Sequence, residues 1–288
     1  MKRYLSIILS ALIVASAALC FAGCNQEVTM DTVDTSFLGK DAAVKDDTEH
    51  KTGYQLEMPE KGDTIAILHT NMGDITWRFF PENAPKTVQN FIDLAKAGKY
   101  DNTIFHRVIN NFMIQGGDYE NANGTGGKAA NGGQFEDEFC NKLFNIRGSV
   151  AMANSGKDTN GSQFFINQAT AESFSGFTSY EESWKVARNI IAQYVNQNKQ
   201  DDISKINGLS FYNPTIVPDD VKKLYEENGG NPYLDGAFNA ADKGHTVFAQ
   251  VIDGMDVVDK IAKTEVDQSN MPKTPVVINS VEITTYQG

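Results

Sequence analysis

The sequence predicts a mainly β fold, a closed antiparallel barrel with two helices and a helical insertion. Three observations support this class. Short β-rich runs separated by turns recur from residue 64 to the C-terminus, two segments place apolar residues at helical spacing, and residues 172–231 have a helical pattern. Many short strands combined with a few helices are typical of an antiparallel sheet that closes on itself.

The first two predicted strands form a hairpin. Residues 64–70 and 74–80 are rich in β-branched and aromatic side chains, and Asn71-Met72-Gly73 between them supplies a glycine that can adopt a positive φ. A helix is predicted at residues 83–98, with Pro85 in its first turn. The later elements follow in order: strands at 149–152, 163–167 and 246–252, a helix at 254–262 and a last strand at 276–284.

Residues 172–231 form the predicted insertion. Ser179-Tyr180-Glu181-Glu182 resembles a capping box at the start of one helix, and Pro218 opens a second helix that Gly229-Gly230 ends. The apolar stripes of these helices either pack on the rest of the domain or form a surface that binds client polypeptides. Packing is the more frequent use of such a stripe.

Residues 1–23 are predicted to be a lipoprotein signal peptide. Lys2 and Arg3 precede an apolar run that is short for a membrane-spanning helix. Phe21-Ala22-Gly23-Cys24 resembles a bacterial lipobox, although its first position is usually Leu, and it predicts lipidation of Cys24 by chains such as palmitate. An ordinary secretory signal is the alternative. The expected location is extracytoplasmic, with the lipid anchoring the protein to a bacterial membrane.

Residues 24–61 are predicted to be a flexible acidic tether, because they are rich in Asp, Glu, Lys and Thr and show little hydrophobic periodicity. The formal net charge of the chain is −12. This charge argues against nucleic acid as a partner and against electrostatic adhesion to anionic lipid. Cys140 is the one cysteine in the predicted domain, so we expect no internal disulfide.

Two sequence blocks carry the candidate chemistry. Residues 105–118 read FHRVINNFMIQGGD, which sets the cation of Arg107 among apolar side chains and is followed about forty residues later by MANS at 152–155 and NGSQFFIN at 160–167. A cleft lined by Phe and Met with a single guanidinium suits a neutral, apolar group that carries a carbonyl. The four histidines lack metal-ligand spacing, and the glycine-rich segment at 124–129 lacks the hallmarks of a phosphate loop, so no metal or cofactor is expected.

Together these blocks resemble the cyclophilin family of peptidyl-prolyl cis-trans isomerases, or rotamases. The resemblance covers residues 64–172 and resumes near Pro232. It implies that residues 62–288 form an eight-stranded antiparallel barrel capped by two helices, with an insertion at 172–231 that compact members lack. It also implies non-covalent acceleration of X-Pro isomerisation, with proline-containing unfolded or exported polypeptides as substrates.

The resemblance implies a role for each matching residue. Arg107 would stabilise the twisted amide, Gln115 would orient the arginine and the substrate, and Phe112 completes the predicted catalytic set. Met113, Phe165 and Leu234 would hold the proline ring together with Phe112. The other predicted substrate-binding residues are His106, Ala153, Asn154, Gln163, Tyr233 and His245.

Tyr233 departs from the family pattern, because the best-known members carry a tryptophan before the Leu-Asp-Gly. The indole of that tryptophan helps to hold cyclosporin, so we expect weaker drug binding with isomerase activity retained. Two functions of other classes remain open: a peptide-binding or holdase chaperone module on the same fold without catalysis, and a scaffold that docks in a surface complex. We expect a monomer.

Overall fold

The computed structural model describes residues 28–35, 38, 44–206, 209–241 and 243–288. The predicted signal peptide and Cys24 lie outside the described residues. Within these ranges, none of the helices has both the length and the apolar character needed to cross a membrane.

The described part of the chain contains short strands and four α-helices. The strands are β1 (Val44–Lys45), β2 (Thr64–Thr70), β3 (Gly73–Phe79), β4 (Thr103–Ile104), β5 (Arg107–Ile109), β6 (Met113–Gly116), β7 (Phe139–Cys140), β8 (Ser149–Met152), β9 (Phe164–Asn167), β10 (Val247–Asp253) and β11 (Val277–Thr285). The helices are α1 (Pro85–Lys96), α2 (Thr178–Asn196), α3 (Asp219–Asn228) and α4 (Met255–Ala262).

The main sheet is a curled antiparallel sheet of nine strands in the order β4-β11-β2-β3-β10-β8-β9-β6-β5. The prediction of a closed eight-stranded barrel is therefore wrong in both closure and strand number. The edge strands β4 and β5 follow one another along a single extended path, since Phe105 N–H donates to the Val276 carbonyl at 3.0 Å and Val108 N–H donates to the Asn270 carbonyl at 2.8 Å. Two strands arranged end to end cannot form the lateral ladder that closure requires.

An aromatic cluster fills the concave side of the sheet. The ring centroids of Trp77 and Phe91 lie 5.2 Å apart, and Trp77 also meets Phe164 edge-on at 5.5 Å. Phe91 belongs to α1, and Val258 of α4 is buried in the same core cluster. Burial of such rings supplies much of the free energy of folding, and it fixes the sheet whose edge carries the candidate site.

The segment of residues 44–61 packs on the domain, in contrast to the flexible tether predicted there. β1 pairs in parallel with β7. The Gln55 side chain is fully buried, where its Nε2 donates to the Phe144 carbonyl at 3.0 Å and its Oε1 accepts from the Phe144 N–H at 2.8 Å. A few buried residues hold this segment, rather than a periodic hydrophobic stripe. Its amino-acid composition therefore does not predict that it packs on the domain.

The insertion is ordered around two apolar clusters. The first includes Phe177, Tyr212 and Tyr225 of the insertion together with Phe144 of the β-domain, and the second surrounds Ile191. α2 begins at Thr178 and has no side-chain cap, so the predicted capping box is absent. The helix start is instead stabilised by the first cluster, which buries Phe177 at the N-cap position.

Candidate active site

The sheet edge formed by β5, β6 and β9 places the central side chains of the site on one face. In its register Arg107 is opposite Gln115, and Gln115 is opposite Phe165. Directly opposite residues of antiparallel strands have their Cβ atoms about 4.5–5.5 Å apart. Three residues that are far apart in sequence are therefore brought side by side by strand register alone.

A cavity of about 130 Å³ opens at this edge. Nine predicted site residues line it: Arg107, Phe112, Met113, Gln115, Ala153, Asn154, Phe165, Leu234 and His245. Met113 and Phe165 are almost fully buried beneath it, so they form a rigid apolar floor. The cavity offers an apolar surface for a small ring with one cation at its side.

Polar contacts orient the Arg107 guanidinium. Its Nη1 donates to Gln115 Oε1 at 3.2 Å, and its Cζ lies 5.7 Å from the centroid of the Phe112 ring. Gln115 Nε2 donates in turn to Gln163 Oε1 at 3.0 Å, and Gln163 Nε2 donates to the Gly126 carbonyl at 2.7 Å. Among the described residues no carboxylate forms an ion pair with Arg107. The guanidinium therefore retains donors for a ligand in the cavity.

His245 lies at the cavity wall as a neutral imidazole. Its ring meets Phe165 edge-on at 5.1 Å, and its Nδ1 lies 2.8 Å from the Met152 carbonyl oxygen. Because a carbonyl can only accept, Nδ1 carries the proton and donates. Burial lowers the pKa of His245. The residue thus adds an uncharged rim to the apolar pocket.

A second groove of about 290 Å³ adjoins the cavity and shares Gln115, Ala153 and Asn154 with it. Gln163 lies in this groove rather than in the cavity. Asn154 Nδ2 donates to the Gly244 carbonyl at 2.8 Å, so the amide fixes the local chain. The shared wall is therefore the edge along which a bound peptide backbone could continue beyond the cavity.

His106 does not line the cavity, in contrast to its predicted substrate-binding role. Its side chain is buried beneath the glycine-rich loop, where a Cβ on Gly124 would lie 3.1 Å from its Nε2. Neither ring nitrogen has a hydrogen-bond partner in the described structure. Burial lowers the pKa of His106, and the neutral ring supports the loop from below.

Asp118 is a residue that the sequence reasoning missed. Its carboxylate accepts hydrogen bonds from the backbone N–H groups of Asn121 at 2.9 Å, Gly124 at 2.8 Å and Gly126 at 3.2 Å. Despite the opposing effect of burial, these hydrogen bonds lower the pKa of Asp118. The Asp side chain thereby shapes the loop that holds Gln163. An Asp after a glycine pair at the start of a glycine-rich loop was the available signal.

Tyr233 lies at the rim with about 36% of its surface exposed. Its ring stacks on Phe112 at a centroid distance of 6.4 Å. Within the described ranges, no group of three or more His, Cys, Asp or Glu side chains could hold a metal ion. The site therefore combines a guanidinium, a chain of two amides and an apolar pocket, which together can bind and orient a polypeptide.

Comparison with known proteins identifies the class to which this fold and site belong. The model of the family "Cyclophilin type peptidyl-prolyl cis-trans isomerase/CLD" matches residues 65–208 and 227–283. The chain belongs to this family and is a cyclophilin-type peptidyl-prolyl cis-trans isomerase. The unmatched interval lies inside the predicted insertion.

Curated relatives and solved structures carry the same assignment. A protein of Staphylococcus aureus (strain USA300), named as a proposed peptidyl-prolyl cis-trans isomerase, is 40% identical over 78% of this chain and 93% of its own length. A protein of Staphylococcus haemolyticus with the same name is 40% identical over 81% of this chain and 98% of its own. The crystal structure of a Cryptosporidium parvum cyclophilin-type isomerase is similar with a TM-score of 0.52 and 25% identity, covering 77% of this chain and 98% of that one. That protein was also crystallised in the presence of the dipeptide Ala-Pro.

Proposed function

We propose that this isomerase accelerates X-Pro isomerisation in exported polypeptides outside the cytoplasmic membrane, with Arg107 stabilising the twisted amide. The single observation that carries the mechanism is the Arg107 guanidinium, which forms no ion pair with a carboxylate of the described residues and is oriented by Gln115 at the wall of an apolar cavity. The dipeptide Ala-Pro used with the Cryptosporidium relative supports a proline-containing peptide as the occupant.

Rotation about an amide bond crosses a barrier of about 18–20 kcal/mol, because resonance gives the C–N bond partial double-bond character. As the bond twists, the nitrogen loses conjugation and becomes a better hydrogen-bond acceptor. A cation that contacts only this twisted state lowers the barrier without binding the planar forms more tightly. About 7 kcal/mol of such differential stabilisation corresponds to about 10⁵-fold acceleration.

The surrounding residues favour Arg107 for this step. Arginine keeps its charge and presents rigid, directional donors, which suits a hydrogen bond to a nitrogen in a fixed place. The Gln115 amide holds the guanidinium and is itself held by Gln163, while Met113 and Phe165 hold the proline ring and keep water from it. Exclusion of water strengthens the interaction between the guanidinium and the twisted amide.

The test of the mechanism is isomerisation of a short Ala-Pro peptide by the purified protein. We expect Arg107→Ala to lower kcat/KM by two to four orders of magnitude at unchanged thermal stability, and Arg107→Lys to restore only part of it, because an ammonium lacks the planar fork. Arg188→Ala, on α2 of the insertion, is the control and should keep full activity.

A wild-type protein that folds and binds proline peptides but does not accelerate isomerisation would favour the peptide-binding or holdase alternative. Equal activity of wild type and Arg107→Ala would refute the role of the guanidinium while leaving the family assignment intact. The two outcomes are separated by measuring peptide affinity and isomerisation rate on the same preparations.

The location rests on the sequence of the first 24 residues. A multiply acylated cysteine holds a protein stably to a membrane, because each buried CH₂ contributes about 0.8 kcal/mol. We expect labelled palmitate to be incorporated at Cys24 in a bacterial host, and Cys24→Ser to move the protein from the membrane fraction to the soluble one. Membrane association that persists unchanged in Cys24→Ser would contradict the lipid anchor.

A further inference from the structure

The insertion carries an aromatic side chain to the rim of the cavity. Tyr180, at the start of α2, has its ring centroid 6.1 Å from that of Tyr233, which is itself stacked on Phe112 at 6.4 Å. Phe112 lines the cavity. Three rings from three distant parts of the chain therefore form one continuous row that starts in the proline pocket and ends on the insertion.

Tyr180 is held rigidly by its packing. Its ring meets Tyr212 edge-on at 5.6 Å and Phe177 at 6.1 Å, and both of these rings are buried in the first insertion cluster. Tyr180 itself remains half-buried, so one part of the ring is anchored and another is available at the surface. A ring fixed in advance loses little conformational entropy when it contacts a ligand.

The hydroxyls of this row are also available. Tyr180 is half-buried and Tyr233 is exposed, whereas Tyr225 is buried and its hydroxyl donates to Asp235 at 2.6 Å. Burial raises the pKa of both Tyr180 and Tyr233 to about 12, so each hydroxyl stays neutral and can donate. A peptide backbone running over the row would find aromatic faces flanked by hydroxyl groups.

We infer that Tyr180 and Tyr233 form an aromatic subsite, continuous with the proline pocket, that binds an apolar or aromatic side chain of the client near the proline. An extended peptide advances about 3.3 Å per residue, so each ring-to-ring step spans about two residues. The subsite therefore accepts a side chain about two to four positions from the proline. This inference rests on the proposed function and adds a sequence preference to it.

Continuity with the cavity identifies the occupant. A peptide whose proline ring lies against Phe112 can continue toward the groove shared with Asn154 or across Tyr233, which stacks on Phe112. The groove is lined mainly by backbone and polar groups of the glycine-rich loop. The row formed by Tyr233 and Tyr180 offers an aromatic surface instead. It therefore binds apolar client side chains more tightly than polar ones, a preference that the polar groove does not provide.

The experiment uses peptides with one Ala-Pro bond and with Phe, Ala or Glu placed two, three or four positions from the proline on either side. We expect the wild-type protein to prefer Phe over Ala by about threefold to tenfold in kcat/KM on one side of the proline, as aromatic contacts of this kind provide. Tyr180→Ala should abolish the Phe-to-Ala ratio, and Tyr180→Phe, which keeps the ring, should retain most of it. Tyr194→Ala, on the same helix but in the second insertion cluster, should keep the wild-type ratio.

A wild-type protein that isomerises the Phe, Ala and Glu peptides equally at all positions would overturn the inference without any variant. A preference that survives in a folded Tyr180→Ala protein would overturn it as well. If the wild-type protein isomerises none of the peptides, the proposed function fails, and the affinities of the Phe and Ala peptides measured by calorimetry then decide on the subsite alone: equal affinities refute it.

Discussion

Asp235 is a buried carboxylate at the junction between the cavity and the insertion. It follows Leu234 of the cavity wall and accepts hydrogen bonds from the Asn145 backbone N–H at 2.8 Å, the Asn145 side chain at 3.0 Å and the Tyr225 hydroxyl at 2.6 Å. Burial raises its pKa to about 7, although these donors act in the opposite direction. The folded protein therefore holds a proton on Asp235 at a pH at which an unfolded chain has released it.

This difference makes the stability of the protein depend on pH with a definite sign. Between the ordinary pKa of 3.8 and about 7 the folded state binds more protons at this residue than the unfolded state, so the contribution of Asp235 to stability falls as pH rises. Below that range both states are protonated and the contribution vanishes. Since one pKa unit corresponds to about 1.4 kcal/mol, the full loss of stability is on the order of 4 kcal/mol, and more than half of it falls between pH 5 and pH 8.

The perturbation is Asp235→Asn, which keeps the shape of the side chain and removes its titration. Urea denaturation at pH 5 and pH 8 gives the free energy of unfolding of both proteins. As pH rises from 5 to 8, we expect the free energy of unfolding of the variant to increase relative to that of the wild type by roughly 2–3 kcal/mol. Subtracting the unfolding free energy of the wild type from that of the variant cancels the contributions of the histidines and of the other carboxylates. Exposed Asp219→Asn, on α3, is the control and should shift stability equally at both pH values.

Parallel stability profiles for wild type and Asp235→Asn would refute the reasoning. They would mean that the hydrogen bonds from Asn145 and Tyr225 fully compensate the burial of the charge, so that Asp235 ionises as it does in water. Isomerase activity at the two pH values should then also be unchanged by the substitution. A variant that is less stable at pH 8 than at pH 5, relative to wild type, would contradict the sign itself.

Three further predictions concern the site and the N-terminal segment. Gln115→Leu should lower kcat about 10- to 100-fold with little change in KM, because Arg107 loses the acceptor that orients it, and the kinetics of a proline peptide will check this; a rise in KM alone would contradict the role. Gln55→Ala should cost about 2–3 kcal/mol in urea denaturation, because it leaves the Phe144 N–H and carbonyl buried without partners; a change below about 0.5 kcal/mol would show that residues 44–61 do not pack stably. Tyr233→Trp should strengthen inhibition by cyclosporin at least several-fold while activity is retained, as inhibition curves will show, and unchanged inhibition would contradict our explanation of Tyr233.

The residues of the cavity were predictable because their sequence blocks and the strand register act together. Arg107, Gln115 and Phe165 carry the family pattern in the sequence, and pairing of β5, β6 and β9 aligns them on one face. Residues 237–243 lengthen the link between Leu234 and His245, so local sequence alone does not determine the position of His245. The structure places it in the cavity wall, since its N–H donates to the Leu234 carbonyl at 3.0 Å and ties it directly to the pocket.

The predictions that the structure contradicts share a physical cause: each depends on tertiary contacts that the local sequence does not show. The sheet stays open because β4 and β5, which follow each other in the chain, are its two edge strands. Their positions depend on contacts with residues near the C-terminus, which no local sequence pattern encodes. Gln55 looked like part of a solvated tether because its partner Phe144 lies 89 positions away. His106 looked like a site residue from its neighbour Arg107, but strand alternation turns adjacent side chains to opposite faces and leaves the imidazole inside.

The insertion can be accommodated because it leaves and re-enters the sheet at nearly the same point. A side chain at Gly229 would collide with the backbone of Thr170, and Asn231 N–H donates to the Asn145 carbonyl at 2.8 Å, so the two ends of the insertion meet beside β9. The returning chain then delivers Leu234 directly to the cavity, with Asp235 behind it. The insertion and the cavity therefore share one short segment, and we expect a change that loosens the insertion core to move the cavity wall. This shared segment is the physical reason to expect the insertion to affect substrate preference rather than act as an independent module.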